Sequence, residues 1–455
     1  MSLARVLCPR RWRLFLRLWG LPVFAIANTF NRFDEDYILE IESLKDLQIL
    51  LQIFDGCVLL GTSADAGWDI KYSTEYHMTQ AAKKGIAIPF EHIKDYNFTN
   101  QDFGYWKTDV EEYICFYSGN MIHQFDFSYK KWISGSGNTA TWQILNQNEK
   151  CWRPEFVMPN SKFGLNSRIP DWNETKLVFR DFARSTDART MIAAIIPAWP
   201  CGNKVPILCQ DEQMPVHHKL LLCAVLNSFV YDYVVRMRLT GFNLNKFIVD
   251  ETPIPPLKSI PERLAILVAQ IAMPHEVFAA SWLELAEIFP ELGEKPWRSW
   301  WATDLGERQR VRAIIEAVIA QTYGLSRENL LEILNPDPSR AKGFFRVDQE
   351  LPEPARLTTL TLEAWDALEK DEINLTSEGS LIVNWQLPES TRQFYPQSPS
   401  VEGVDATVEW RNCFEISERL KLLRTSVFPE QTIQGNVRQS KKIETNTSLF
   451  GETVA

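Results

Sequence analysis

LLCAVLNSFVYDYVVRMRLTGFNLNKFIVDETPIPP, residues 221–256, holds a change of regime. From His218 to Arg238 the pattern predicts a single helix. Leu222, Leu226, Phe229 and Tyr233 recur on one face at spacings of four, three and four. Thr252-Pro253-Ile254-Pro255-Pro256 then forces extended backbone, because each proline locks its own φ and biases its predecessor away from the helical region. Helical sequence resumes almost at once, in PERLAILVAQIA (261–272). The proline stretch is therefore the expected boundary between two domains.

Outward from it the two sides differ. Upstream, short β-rich runs such as CVLLG (57–61), WDIKY (68–72) and KLVFRDF (176–182) alternate with turn signals such as SGSGN (134–138). Residues 31–256 thus read as a mixed α/β domain. Downstream, Val311, Ile314, Ile315, Val318, Ile319 and Thr322 form a helical stripe. Gly324 suits the left-handed stop, Ser326 suits the cap of RENLLEIL, and Asn335-Pro336 ends that helix. Residues 257–370 therefore read as a helical support domain. Residues 371–455 are polar and read as an irregular, partly disordered tail. The expected fold class is α+β, a mixed domain followed by a mainly helical one.

Charge is unevenly placed. The chain of 455 residues carries −10 overall, yet residues 120–250 carry 15 Lys and Arg against 11 Asp and Glu. Residues 31–119 and 251–455 are both acidic. One locally basic segment in an acidic protein suits contact with a polyanion on a single face. Sixteen Trp, 12 Tyr and 26 Phe supply rings for a large core or for stacking.

Eight cysteines without a C-x-x-C point to a reduced, cytoplasmic protein. Cys201, Cys209, His217, His218 and Cys223 match no common zinc spacing, and no metal site is expected. Residues 1–30 hold five Arg and no acid. Arg13 and Arg17 interrupt their apolar run, so the segment reads as a basic amphipathic helix or a mis-assigned start, not a signal peptide or membrane span.

Familiar catalytic patterns are missing from the sequence. SGSGNT lacks the lysine of a phosphate-binding loop, and there is no G-x-S-x-G or H-E-x-x-H. Pro170-Asp171 and Glu174-Thr175-Lys176 lie too close together for a metal nuclease site and read as a turn. Pro255-Pro256 lacks the polar and aromatic neighbours of an amino-methyltransferase loop.

Five pieces, in order, carry a resemblance. They are WDIKYSTEYHMT (68–79), FYSGNMIHQFDF (116–127), LVFRDFARSTDARTMIAAIIP (177–197), residues 221–256 as quoted, and AIIEAVIAQTYGLSRENLLEIL (313–334). Together they span about residues 60–365 and resemble the C-terminal target-recognition half of large adenine-specific DNA methyltransferases from bacterial restriction–modification (type IIG-like) and phage-defence systems. The resemblance implies a double-stranded DNA partner. It also implies that S-adenosylmethionine and the catalytic loop belong to a domain or subunit outside this chain. The competing expectations are a stand-alone specificity subunit and a protein-binding scaffold of a phage-defence complex.

Candidate DNA contacts follow from side-chain chemistry. His123 and Gln124 offer groups for base edges, and Lys130 and Lys131 for phosphate or guanine. The competing reading makes residues 122–127 a strand, with His123 and Asp126 pairing with each other. Lys176, Arg180, Arg184 and Arg189, with Ser185 and Thr186, form a cationic, hydroxyl-bearing segment suited to phosphates, or a loop held by Asp181 and Asp187. Arg236, Arg238, Asn243, Asn245 and Lys246 follow the amphipathic helix on a loop around Gly241. Tyr231 is read as core before stacking platform, and Arg346 and Trp365 as supports.

Overall fold

The computed structural model describes residues 43–162, 175–211, 213–376, 381–395 and 404–427, with a few isolated residues before them. The basic segment 1–30 lies almost wholly outside the described residues. Its two described dipeptides, Ala4–Arg5 and Phe15–Leu16, pair as antiparallel strand rather than helix. Asp171 and Glu174 of the nuclease-like letters also lie outside.

The fold is α+β, with small antiparallel sheets in the first half and helices gathered in the second. One five-stranded sheet runs in the order 88–89, 156–159, 112–116, 105–107, 100–102. A four-stranded sheet runs Ala193–Pro197, Thr175–Phe179, Ile207–Cys209, Lys71–Ser73, every pair antiparallel. Its central strand is buried along its whole length, with Leu177 facing Ile195 on one side and Leu208 on the other. A separate two-stranded ribbon, Lys130–Ser134 with Thr141–Ile144, projects through the SGSGN turn, where Gly135 and Gly137 take positive φ.

The long helix expected over 218–238 is two helices. Val216–Asn227 and Phe229–Arg238 meet at Ser228 with a bend of 57°. Ser228 is extended, and its hydroxyl accepts from the Tyr231 amide while donating to the Val225 carbonyl. Breaking a helix strands carbonyls at one end and amides at the other, and burial forbids water as their partner. Here Gln124 and Arg189 donate to the Asn227 carbonyl, and the Glu316 carboxylate accepts from the Phe229 amide at 2.6 Å. A cation at the carboxyl end and an anion at the amino end also match the two helix dipoles. Both helices are buried almost all round, so their apolar residues fill a core rather than one face.

Helix Leu305–Thr322 is the hub. Asp304 caps it, and Gly324 (φ +72°) and Ser326, which accepts from the Asn329 amide, perform the stop and restart read from the sequence. It packs on helices Leu264–Ala272 and Leu357–Glu369 as well as on the bent pair. Trp365 is buried there, and Arg346 stacks over Phe345.

Contacts do not thin at the proline stretch. Pro253–Ile254 pairs with Val58–Leu59, and the Trp68 indole donates to the Pro255 carbonyl at 2.8 Å. One continuous hydrophobic core runs from Ile41 to Cys413. The tail reading also needs correction, because Ala406–Val427 is a helix of 22 residues. Its Glu409 takes both oxygens to Arg298 at 2.8 Å, and Cys413 is buried beside the Ala279 carbonyl. Residues 428–455 lie outside the described residues. No single described helix is long and apolar enough to cross a membrane; the bent pair is apolar enough but sits inside the core.

Candidate nucleic-acid interface

Two connections leave the buried framework side by side. One follows strand Thr175–Phe179 through residues 180–190; the other follows helix Phe229–Arg238 through residues 239–245. The Ala183 amide donates to the Phe242 carbonyl at 3.0 Å, and the Leu244 amide to the Asp181 carbonyl at 2.7 Å. This short antiparallel clasp leaves the Phe182 and Phe242 side chains outside, 48% and 58% exposed. Their rings are parallel to within 13°, with centroids 6.3 Å apart. The exposed Arg184 guanidinium lies 5.5 Å from one ring and 6.0 Å from the other.

Further cations and amides are held on the clasp's backbone and side chains. Lys204 Nζ bridges Asp181 (2.6 Å) and the Asn243 side-chain oxygen (3.0 Å). Arg180 Nε donates to the Phe182 carbonyl, and the arginine lies along Gly119, where a Cβ would stand 3.3 Å from its Cγ. Asn245 and Lys246 are exposed at the start of the short helix Lys246–Asp250, with Lys246 paired to Asp250. Burial lowers the pKa of both Arg180 and Lys130, and Arg180 lowers that of Lys130 further, so the patch continues towards the ribbon. Half-exposed Lys130 and Lys131 open that ribbon opposite Ile144 and Gln143.

The sequence-predicted contacts therefore divide. Arg180, Arg184, Asn243, Asn245 and Lys246 come together at the clasp, Lys130 lies towards Arg180, and Lys131 sits on the opposite face of the ribbon. Gln124, Arg189, Arg236 and Arg238 are buried, as is Lys176, and none of them reaches the surface as a contact. Gln124 is committed to the Met191 and Asn227 carbonyls and to Arg312. Arg189 pairs with Asp232 (3.1 Å) and Glu316 (3.0 Å). Arg236 donates to the carbonyls of Asp187 and Ala188 at 2.8 Å, and to Lys342 and Gly343, with its guanidinium 4.2 Å from the Phe344 ring. Arg238 binds the Glu251 carboxylate and carbonyl, and Lys176 binds Glu75 at 2.8 Å.

These buried arginines act on the surface indirectly. Arg236 holds the far end of the 180–190 connection, Arg238 holds the end of the 239–250 segment, and Thr190 donates to the Arg184 carbonyl at 2.8 Å. Rigid loops lose less entropy when they bind, so such clamps would favour binding at a face they do not themselves form.

His123 is half-buried, like Lys130 and Lys131. Residues 123–126 are a tight turn rather than a strand, with reciprocal His123–Asp126 backbone bonds of 3.0 Å and Phe125 at φ +56°. The pairing of His123 with Asp126 is thus made by backbone, while the Asp126 carboxylate holds Lys150 at 2.6 Å. The imidazole packs 4.5 Å from Tyr129, and burial, with Arg180 and Arg312 nearby, pushes its pKa down to about 3. Tyr231 is fully buried.

Phe182, Phe242, exposed Phe247 and Lys204 escaped the sequence reading. One signal was present: Phe242 follows Gly241 and precedes Asn243, outside any apolar period. Cys201, Cys209 and Cys223 are buried free thiols and His217 packs on His218; among the described residues no group of three or more His, Cys, Asp and Glu is placed to hold a metal ion. A cleft of about 580 Å³ on the helical side pairs its own charges, Arg263 with Glu291 and Arg310 with Glu307.

No family model matches the chain, and no curated protein matches it significantly.

Proposed function

We propose that this chain is the sequence-recognition part of an adenine-specific DNA methyltransferase of the restriction–modification or phage-defence kind. It grips duplex DNA with the clasped loops and positions a catalytic domain, which carries S-adenosylmethionine, over a target adenine. The observation that supports this is the clasp itself: guanidinium and amide groups on two tied loops that carry two exposed rings, with the Lys204 ammonium bound against them. Arg180, Arg184 and Lys204 suit phosphates, and Asn243 and Asn245 suit an adenine edge. The ribbon carrying Lys130 and Lys131 has the width to enter a major groove. Seven free cysteines among the described residues suit a reducing compartment such as a bacterial cytoplasm.

The test is fluorescence anisotropy of a labelled duplex with the full chain, alone and with a catalytic subunit, at rising salt. With roughly four phosphates neutralised, affinity should fall on the order of a hundredfold between about 50 and 200 mM salt. Arg184→Glu and Lys204→Glu should each weaken binding and flatten that dependence. Indifference to duplex DNA at low salt in both settings would sink the proposal. The exposure of Phe182, Phe242 and Phe247 favours one second reading, a protein-binding scaffold, which predicts a salt-insensitive protein partner instead.

A further inference from the structure

Large exposed aromatics are costly on a surface that only collects phosphates, since lysines and arginines alone would serve. Phe182 and Phe242 nonetheless stand outside on the clasp, while their neighbours Ala183 and Leu244 are buried on its inner side. Their backbones are tied directly, by the Ala183–Phe242 and Leu244–Asp181 bonds, so the rings do not depend on a ligand to bring them together. Arg184 lies over both rings, Arg180 donates to the Phe182 carbonyl, and Lys204 donates to the Asn243 side chain next to Phe242. The chemistry that matches parallel apolar rings inside a cationic rim is a planar base on an anionic backbone.

Resting on the DNA-binding reading above, we propose that Phe182 and Phe242 form an aromatic wedge that stacks on bases displaced from the helical stack, so that this face prefers distorted over regular duplex. Such a wedge enters between base steps, and its gain offsets unstacking most readily where pairing is already weak. The rim cations hold the flanking phosphates and make no distinction between the two forms of DNA.

The experiment compares the full-length chain on three probes of one sequence: a fully paired duplex, the same duplex with a single mismatch, and the single strand. The mismatch probe carries 2-aminopurine at the mismatched position. The wild type should bind the mismatched duplex and the single strand on the order of tenfold more tightly than the paired duplex. The 2-aminopurine emission should change on binding as the base leaves its stack and meets the rings. Phe182→Ala/Phe242→Ala should bind all three probes alike, with unchanged salt dependence and no 2-aminopurine response. Arg184→Glu should weaken all three. Because both phenylalanines are exposed, the double variant is expected to keep the wild-type melting temperature, and a Phe182→Leu/Phe242→Leu variant supplies an apolar control without rings. Equal wild-type affinity for the three probes, or a preference that survives in the double alanine variant, overturns the wedge and leaves the DNA-binding reading standing. Failure to bind any probe overturns both.

Discussion

At the residue scale, the same chemical group serves opposite ends. Arg184 and Arg236 read alike in sequence, but Arg184 is exposed and Arg236 is completely buried among four carbonyls and Asp232. Arg236→Ala should therefore destabilise the protein by about 3–5 kcal/mol, because Asp232 and the carbonyls lose their partner inside a dry core. Arg184→Ala should change stability by less than about 0.5 kcal/mol while weakening DNA binding. Urea titration of both variants checks this, and equal stability losses would undo the division into clamps and contacts. The arginines of the site were legible in the sequence, but Lys204 was not, nor was the division of the arginines, since a run of letters such as FARSTDARTM does not say which arginine faces Asp232. Histidine gives a second expectation. Burial drives the pKa of His123 to about 3 and of His275 to about 4. The unfolded chain, with histidines near 6.5, takes up protons first as pH falls, so stability present above that value drains away towards the folded pKa values. Each of the two should cost roughly 1 kcal/mol per pH unit below about 6.5. Melting temperature measured from pH 7 down to 5.5 should fall, and His123→Phe should fall less steeply; a flat wild-type profile would contradict the neutral imidazoles.

At the element scale, the break at Ser228 is where local pattern and tertiary structure part. Hydrophobic period alone ran the helix straight through, because both halves are apolar and neither glycine nor proline marks the joint. The stop comes from partners far away in sequence: Gln124, Arg189 and Glu316 satisfy the stranded backbone groups. By contrast, the end of helix Leu305–Thr322 was legible, since Gly324 and Ser326 carry their signals locally. The 22-residue helix Ala406–Val427 was overlooked because its surface is mostly polar, and its helical state is secured by Arg298 and by packing on Ala279–Ile288. Ser228→Ala removes the side-chain cap of helix Phe229–Arg238 and should cost about 1 kcal/mol. Because that helix leads directly into residues 239–245, the variant should also loosen the clasp, read as faster amide exchange at Ala183 and Leu244. Unchanged stability and exchange would mean that Gln124, Arg189 and Glu316 set the joint without the serine.

At the scale of the whole molecule, the proline stretch decides whether the sheet-bearing and helical halves are one body. Three prolines in five residues normally mark an exposed linker, and that local rule made 252–256 the expected boundary. Instead Pro253 and Ile254 complete a strand pair with residues 58–59, and the Tyr323 hydroxyl donates to the Pro253 carbonyl at 3.0 Å. The stretch is therefore clamped between the first described helix region and the hub helix. Glu316 of the hub reaches into the joint that carries the clasp, so the helical half is mechanically continuous with the clasp. A continuous core with charges interlocked across 256 should unfold as one unit. Native-state hydrogen exchange at increasing urea measures this directly. Peptides covering Thr175–Phe179 and Leu305–Thr322 should lose protection together and with the same denaturant dependence. If the hub helix instead remained protected after the sheet had opened, the two halves would be separate folding units and the boundary at 252–256 would stand. The joint result also bears on function, because a catalytic domain docked on the helical half would be aimed by the clasp only if the two halves move together.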